Sequence, residues 1–226
     1  MYSGRFWRGA SIVTLLTALM LLACSGCEVV GVAANIVGPG DVPAAYAGLK
    51  GQRVAVVVWA DPAVMMDHPR ISADVATSLQ HKFQQAQDAG VNELKGTKFL
   101  PTNQILRFQD AHPELQSDSA EQIALRLPVT RLVYVEVVSF SLHPNDSPDL
   151  SRGEAAANVK VIEVTNHKAK ATYENDEISC AYPPNSPPEG LPNLDEQTVY
   201  HKSVDAMTTE VAKLFMSYEA DTDTGQ

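Results

Sequence analysis

Asp61, Asp67 and His68 fall in one short stretch of the chain. Two carboxylates and an imidazole are side chains of acid–base catalysis and of metal coordination. Residues 53–59 just before them read as a buried strand, and open α/β sheets commonly bind ligands beyond the carboxyl ends of their strands. The same residues, beside Pro62 and Pro69, are also ordinary loop material, with no further His or Glu at a ligand spacing. A ligand site and a solvated loop therefore both stay open. Glu136 interrupts an apolar run; exposure at an edge, pairing with a base such as Lys160, or a functional role would each account for it. His81 and His201 fall on polar sides of helical segments and read as solvated. The sequence has no Gly-x-Ser-x-Gly elbow, His-Glu-x-x-His or phosphate loop, and its one Cys-x-x-Cys spacing, Cys24 to Cys27, belongs to the N-terminal segment. No catalytic residue, metal site or cofactor is expected.

The N-terminus carries a different chemistry. Arg5 and Arg8 precede an uncharged stretch to Ala23 that holds the apolar run from Ile12 to Leu22, and small residues follow at Ser25 and Gly26. That is the layout of an export signal. Leu21-Leu22-Ala23-Cys24 resembles the bacterial lipobox, although the motif prefers a smaller residue where Leu22 stands. The resemblance implies cleavage before Cys24 and lipidation of that cysteine, and it accounts for the Cys24–Cys27 spacing better than a redox pair does. Stable anchoring needs at least two acyl chains, and a triacylated cysteine exceeds that. An uncleaved membrane anchor and a plain secretory signal are the alternatives. Ser25 rather than Asp after the cysteine implies the outer membrane.

Composition narrows the partners. The chain has 17 Lys+Arg against 27 Asp+Glu, a formal charge of −10 that becomes −12 once Arg5 and Arg8 are cleaved away. No basic run could track a phosphate backbone, so no nucleic-acid partner is expected. Anionic headgroups would repel the domain, leaving the lipid as the membrane contact. Of the 3 cysteines, Cys27 and Cys180 stay available in an oxidising compartment. They could pair, but Cys27 sits in a tether, and a small buried thiol is the simpler reading of Cys180.

Behind the signal (residues 1–23), residues 24–49 are rich in Gly, Ala, Val and Pro and read as a tether, parts of which could dock on the domain or the bilayer. Residues 50–219 then read as one α/β domain, on the α+β border, and 220–226 as a frayed tail. Residues 53–59 are nearly all apolar, as in a strand buried on both faces. Ile71, Val75, Leu79 and Phe83 recur at spacing four, predicting a helix ended by Gly90. A weak strand is expected within 97–100. Ser119 and Gln122 form a capping box for a helix stopped by Pro128. Residues 132–142 form the strongest strand, with Val133, Val135 and Val137 on one face and Leu132, Tyr134, Val138 and Phe140 on the other. A hairpin turns at Asn166-His167, and a long helix, capped from Asn193, carries Val204, Met207, Val211, Leu214, Phe215 and Tyr218. The expected order is β-α-β-α-β-β-β-α: three helices on a mixed sheet of about five strands.

That order, carried by the strand at 53–59, the helix from Ile71, the Thr130–Val137 run and the hairpin, resembles a group of periplasmic domains. The group comprises the N-terminal domain of TolB, the curli secretion lipoprotein CsgG and the penicillin-binding-protein activator LpoB. The resemblance implies a periplasmic lipoprotein domain that binds other envelope proteins, and it brings no catalytic residues. CsgG-type barrels need hairpins with one clean apolar face, whereas Lys160, Glu163, His167, Lys168 and Lys170 scatter charge here, so a pore is not expected. Two functions stand at this point. One is a non-enzymatic lipid-tethered adaptor with an envelope protein as partner. The other is a hydrolase or small-ligand binder working from Asp61, Asp67 and His68.

Overall fold

Val54 to Val58 are all buried, so this run needs cover on both faces and hydrogen-bonded neighbours on both edges. It forms β1 (Arg53–Ala60) at the heart of a computed structural model that describes residues 40–220, apart from Asn145, Asp146, Pro148 and the side chain of Glu177. The signal segment, Cys24, Cys27, most of the tether and residues 221–226 lie outside the described residues.

Apart from four other two-residue strands and two 3-10 turns, the remaining elements in chain order are α1 (Pro62–Asp67), α2 (Ile71–Asp88), β2 (Lys98–Phe99), α3 (Thr102–Ala111), α4 (Ala120–Arg126), β3 (Arg131–Ser141), β4 (Gly153–Thr165), β5 (Lys168–Tyr182) and α5 (Glu196–Lys213). The five strands make one mixed sheet in the order β2-β1-β3-β4-β5. β1 is parallel to both β2 and β3, and β3, β4 and β5 follow as an antiparallel meander. The expected mixed α/β fold is the one formed, with α2, α4 and α5 where the pattern places them.

Two helices, α1 and α3, are not legible in the sequence. α1 starts from Asp61-Pro62, a pair that also begins loops, and is too short to show a period. α3 buries Ile105 and Gln109 and packs Phe108 against the same core, but it is only 10 residues long and one of its two buried positions is polar. Its function in the fold is nonetheless clear. β2 covers β1 only at Arg53 and Val54, and beyond that point Gln109 Nε2 donates to the Val58 carbonyl at 3.0 Å. A side-chain amide thus stands in for part of a missing strand.

The sheet has two cores. On one face α2 and α5 cover Val54, Val56 and Val58 of β1, Val133, Val135 and Val137 of β3, and Ala157, Val159 and Val161 of β4. Phe83 of α2 sits at its centre, fully buried, stacked on Phe99 at 5.2 Å and edge-on to Phe215 at 5.6 Å. On the other face α3 and α4 cover Ala55, Val57, Leu132 and Ile162. The capping box of α4 is present in both directions, Gln122 N to Ser119 Oγ and Ser119 N to Gln122 Oε1.

Three details differ from the sequence reading. The alternation of β3 breaks at Val138, where the register against β4 shifts between Val137 and Ser139. This bulge leaves Val138 exposed and turns Phe140 onto the Val133 face instead of the Tyr134 face. The cap of α5 is Asp195, whose Oδ2 accepts from Thr198 N at 2.8 Å, rather than Asn193, and Tyr218 lies beyond the helix. The incoming chain also joins the core earlier than its composition suggests. Leu49 is fully buried, its carbonyl accepting from Thr97 Oγ1, and Tyr46 packs on Phe215 while its N–H donates to the Leu214 carbonyl at 2.8 Å. The hairpin turns where expected, with Asn166 at φ 51 and His167 at φ 58, as a two-residue turn with both φ positive requires. Among the described residues no helix is long and apolar enough to cross a membrane.

Gly153 opens β4 against Ser203 and Val199 of α5. A Cβ there would overlap Ser203 Oγ outright and stand 2.9 Å from Ser203 Cβ. Gly153→Ala should therefore lower unfolding stability in urea by about 1–3 kcal/mol. Ser203→Ala in the same chain should recover part of that loss, because it removes the nearer of the two clashing atoms.

Candidate functional site

β1 and β3 end side by side, with Ala60 opposite Val137. The chain then turns into α1, and this short helix decides where each candidate residue goes. Asp61 donates its N–H to the Val137 carbonyl at 2.9 Å, and its Oδ1 accepts from Ala63 N at 2.8 Å. It is the N-cap of α1, with Pro62 in the first turn, where a missing N–H costs nothing. Asp67 and His68 stand at the opposite end of that helix. Sequence proximity therefore does not become a common site: Asp61 faces one cleft and the other two face another.

The larger cleft, about 550 Å³, opens at the N-terminal ends of α2 and α5. His68 is half-buried in its wall, edge-on to Phe140 at 4.9 Å and tilted against Tyr200 at 5.7 Å, while Phe140 and Tyr200 meet at 5.4 Å. The bulge at Val138 makes this possible, since without it Phe140 would face the opposite core. Tyr200 donates from its hydroxyl to Asp74 Oδ2 at 2.8 Å, and Arg70 approaches Asp74 Oδ1 at 3.6 Å. Glu196 and His201 complete the rim.

The electrostatics follow from burial. Desolvation lowers the His68 pKa below its usual 6.5, against the opposing charges of Asp67 and Glu196. Burial, together with the hydrogen bond to Asp74, raises that of Tyr200. At neutral pH the wall presents a neutral imidazole and a protonated phenol already committed to a carboxylate. Such a wall can hold a small polar ligand. Among the described residues no group of three or more His, Cys, Asp or Glu side chains could hold a metal ion.

The smaller groove, about 400 Å³, lies on the opposite face at the edge of the α3–α4 cover, with Trp59, Asp61, Gln116, Tyr134 and Glu136 in its lining. Trp59 and Glu136 are register partners on adjacent parallel strands, so they share a face of the sheet with Tyr134. Glu136 is half-buried and makes no hydrogen bond or ion pair with any described residue. The expected alternative of pairing with Lys160 is not realised, since Lys160 meets Glu174 at 3.5 Å instead. Burial, then the Glu136 charge, pushes the Tyr134 phenol up to about 12. Trp59 Nε1 is buried without an acceptor among the described residues. Sequence reasoning singles out Glu136 but not Trp59 or Tyr134, whose aromatic character reads equally well as core.

His81, away from both clefts, is exposed, as is His201 on the rim of the larger one. Cys180 is a free, half-buried thiol, its pKa raised to about 11 by burial, and Cys27, its possible partner, lies outside the described residues.

No known family matches the sequence, and no curated protein does. Among solved structures, the chain is similar to the PelC dodecamer from Paraburkholderia phytofirmans, at 7% identity and TM-score 0.42, covering 78% of this chain and 95% of that one. It is also similar to lipoprotein GNA1162 from Neisseria meningitidis, at 12% identity and TM-score 0.40, covering 57% and 81%. A third is the hypothetical protein CT253 from Chlamydia trachomatis, at 11% identity and TM-score 0.37, covering 57% and 70%. None of the three is TolB, CsgG or LpoB, and overlap this loose carries no functional argument.

The lowered His68 pKa has a direct consequence for stability. The unfolded chain takes up a proton near pH 6.5 and the folded chain only at lower pH, so stability is full above that value and falls as the pH drops below it. The urea midpoint should decline between about pH 7.5 and 5.5, and His68→Phe, which keeps the aromatic packing, should flatten that decline.

Proposed function

We propose that this chain is a non-enzymatic envelope lipoprotein. It is exported, cut before Cys24, lipidated on that cysteine, and holds its α/β domain at the periplasmic face of the outer membrane, where it binds another envelope protein. The observation that carries the reading is Leu21-Leu22-Ala23-Cys24 behind a basic n-region, about 20 residues ahead of the first core side chain, Tyr46. A coil of that length would span about 25 Å root-mean-square. The domain itself has a radius of gyration of about 16 Å by size scaling. A tethered domain of these proportions works within a diameter or two of the bilayer, so its partner is a membrane or near-membrane protein. The acidic balance of the mature chain supports attachment through lipid rather than through charge. The reading needs no cofactor beyond the N-terminal lipid and no nucleic acid, and its likeness to the TolB, CsgG and LpoB group belongs with it.

The second reading, a hydrolase or small-ligand binder at Asp61, Asp67 and His68, narrows to the larger cleft because Asp61 is occupied with capping α1. The cleft of about 550 Å³ has room for a small polar ligand beside His68.

Intact mass and membrane partitioning, wild type beside Cys24→Ala in the native host, test the first reading. The expected mature species begins at Cys24, carries acyl mass and leaves the membrane on substitution. Crosslinking should then capture a protein with the wild type that the Cys24→Ala form fails to capture. A full-length, membrane-bound Cys24→Ala protein would mean an uncleaved anchor, and a soluble wild-type species would mean plain secretion. Either result overturns the lipoprotein.

A further inference from the structure

The smaller groove has a one-sided chemistry. Its lining brings together two aromatic side chains, Trp59 and Tyr134, and two carboxylates, Asp61 and Glu136, with no Lys, Arg or His among its lining residues. Nearby cations are already matched elsewhere. Arg126 reaches Glu114 at 3.3 Å and Asp118 at 2.8 Å, flanking the turn that supplies Gln116, and Lys160 meets Glu174. Asp61 uses one carboxylate oxygen to cap α1. Glu136 uses none on any described residue, although it sits half-buried on β3, an inner strand of the sheet.

A carboxylate on an inner strand, with no described partner and aromatic rings beside it, has its acceptor oxygens open to a donor from outside the chain. Among cations, a guanidinium fits both halves of the lining, because it stacks on aromatic faces and donates paired hydrogen bonds to a carboxylate. A sugar would also stack on Trp59 and Tyr134, but it would leave the two negative charges uncompensated.

We infer that the groove formed by Trp59, Tyr134, Asp61 and Glu136 is a binding site for an arginine side chain of the partner polypeptide. Glu136 is its anion and the two rings its walls. The inference rests on the proposed protein-binding function and names the chemistry of the contact. It also accounts for the position of Glu136, which neither the fold nor the larger cleft uses.

The chain has 2 tryptophans, Trp7 and Trp59; Trp7 lies ahead of the proposed cut, so Trp59 is the sole reporter in the mature protein, and Trp7→Phe keeps it so in any uncleaved form. The experiment is a fluorescence titration with N-acetyl-arginine amide at millimolar concentrations. N-acetyl-citrulline amide serves as the neutral isostere and chitobiose as the sugar probe. The expected result is a saturable, salt-sensitive change in Trp59 emission with the arginine probe. It should weaken about fivefold or more with citrulline and with Glu136→Gln, as loss of a partly desolvated cation–π and ion-pair contact implies. It should be unchanged by Glu210→Gln on α5, which controls for general attraction to an acidic protein. No saturable change, an equal response to citrulline, an equal response with Glu136→Gln, or a preference for chitobiose would each overturn the site. Lipid-dependent crosslinking reports on the adaptor reading separately. A failed titration beside intact crosslinking removes the groove alone, and lost crosslinking removes the adaptor.

Discussion

The structure depends on one constraint: β1 and β3 form a parallel pair that buries apolar side chains on both faces. A parallel pair cannot be closed by a tight turn, so the chain between them must cross over the sheet. The crossover from β1 to β2 lays α2 on one face, and the return from β2 to β3 lays α3 and α4 on the other. Both cores result from that division. So does the placement of both clefts, because helical cover thins where the parallel strands end. The same constraint explains Gln109. With β2 only two residues long, the remaining backbone of β1 still needs hydrogen-bond partners, and a buried amide supplies one at Val58.

The bulge at Val138 is the second organising feature. A strand that alternated strictly would send Phe140 to the side of Tyr134 and Trp59. The extra residue rotates the end of β3, so Phe140 instead joins His68 and Tyr200, and the space beside Glu136 stays open. One local irregularity thus does two things: it completes the aromatic wall of the larger cleft and leaves the smaller groove unfilled. The cost is an exposed Val138, modest beside the burial of a whole phenylalanine.

What the sequence discloses depends on the strength of its apolar periodicity. β1, α2, β3 and the hairpin are legible because each buries a regular set of side chains. α3 is not, because one of its two buried positions is a glutamine amide, and no apolar period records a polar contact. Strict alternation puts Phe140 on the wrong face because a bulge leaves no compositional mark. Tyr46 and Leu49 read as tether because Gly and Ala between them look like linker, although both residues are anchored from distant parts of the chain. The candidate site is half legible. Asp61, Asp67 and His68 do sit beyond the end of β1, as the strand geometry requires. Which way each faces is set by α1, a six-residue helix that the Asp-Pro pair conceals.

The two clefts also divide the polar chemistry of this end of the domain unequally. In the larger one the groups satisfy each other: Tyr200 is bonded to Asp74, Arg70 stands near the same carboxylate, and His68 is neutral and packed on rings. Such a cluster fixes α2 against α5, and a ligand entering it would have to compete with bonds already made. In the smaller one the central carboxylate has no described partner and the rings beside it stand on inner strands of the sheet. A rigid aromatic and charged surface loses little conformational entropy on association, which is the property that concentrates binding energy in a few side chains. Of the two openings, the smaller is therefore the better suited to a protein partner.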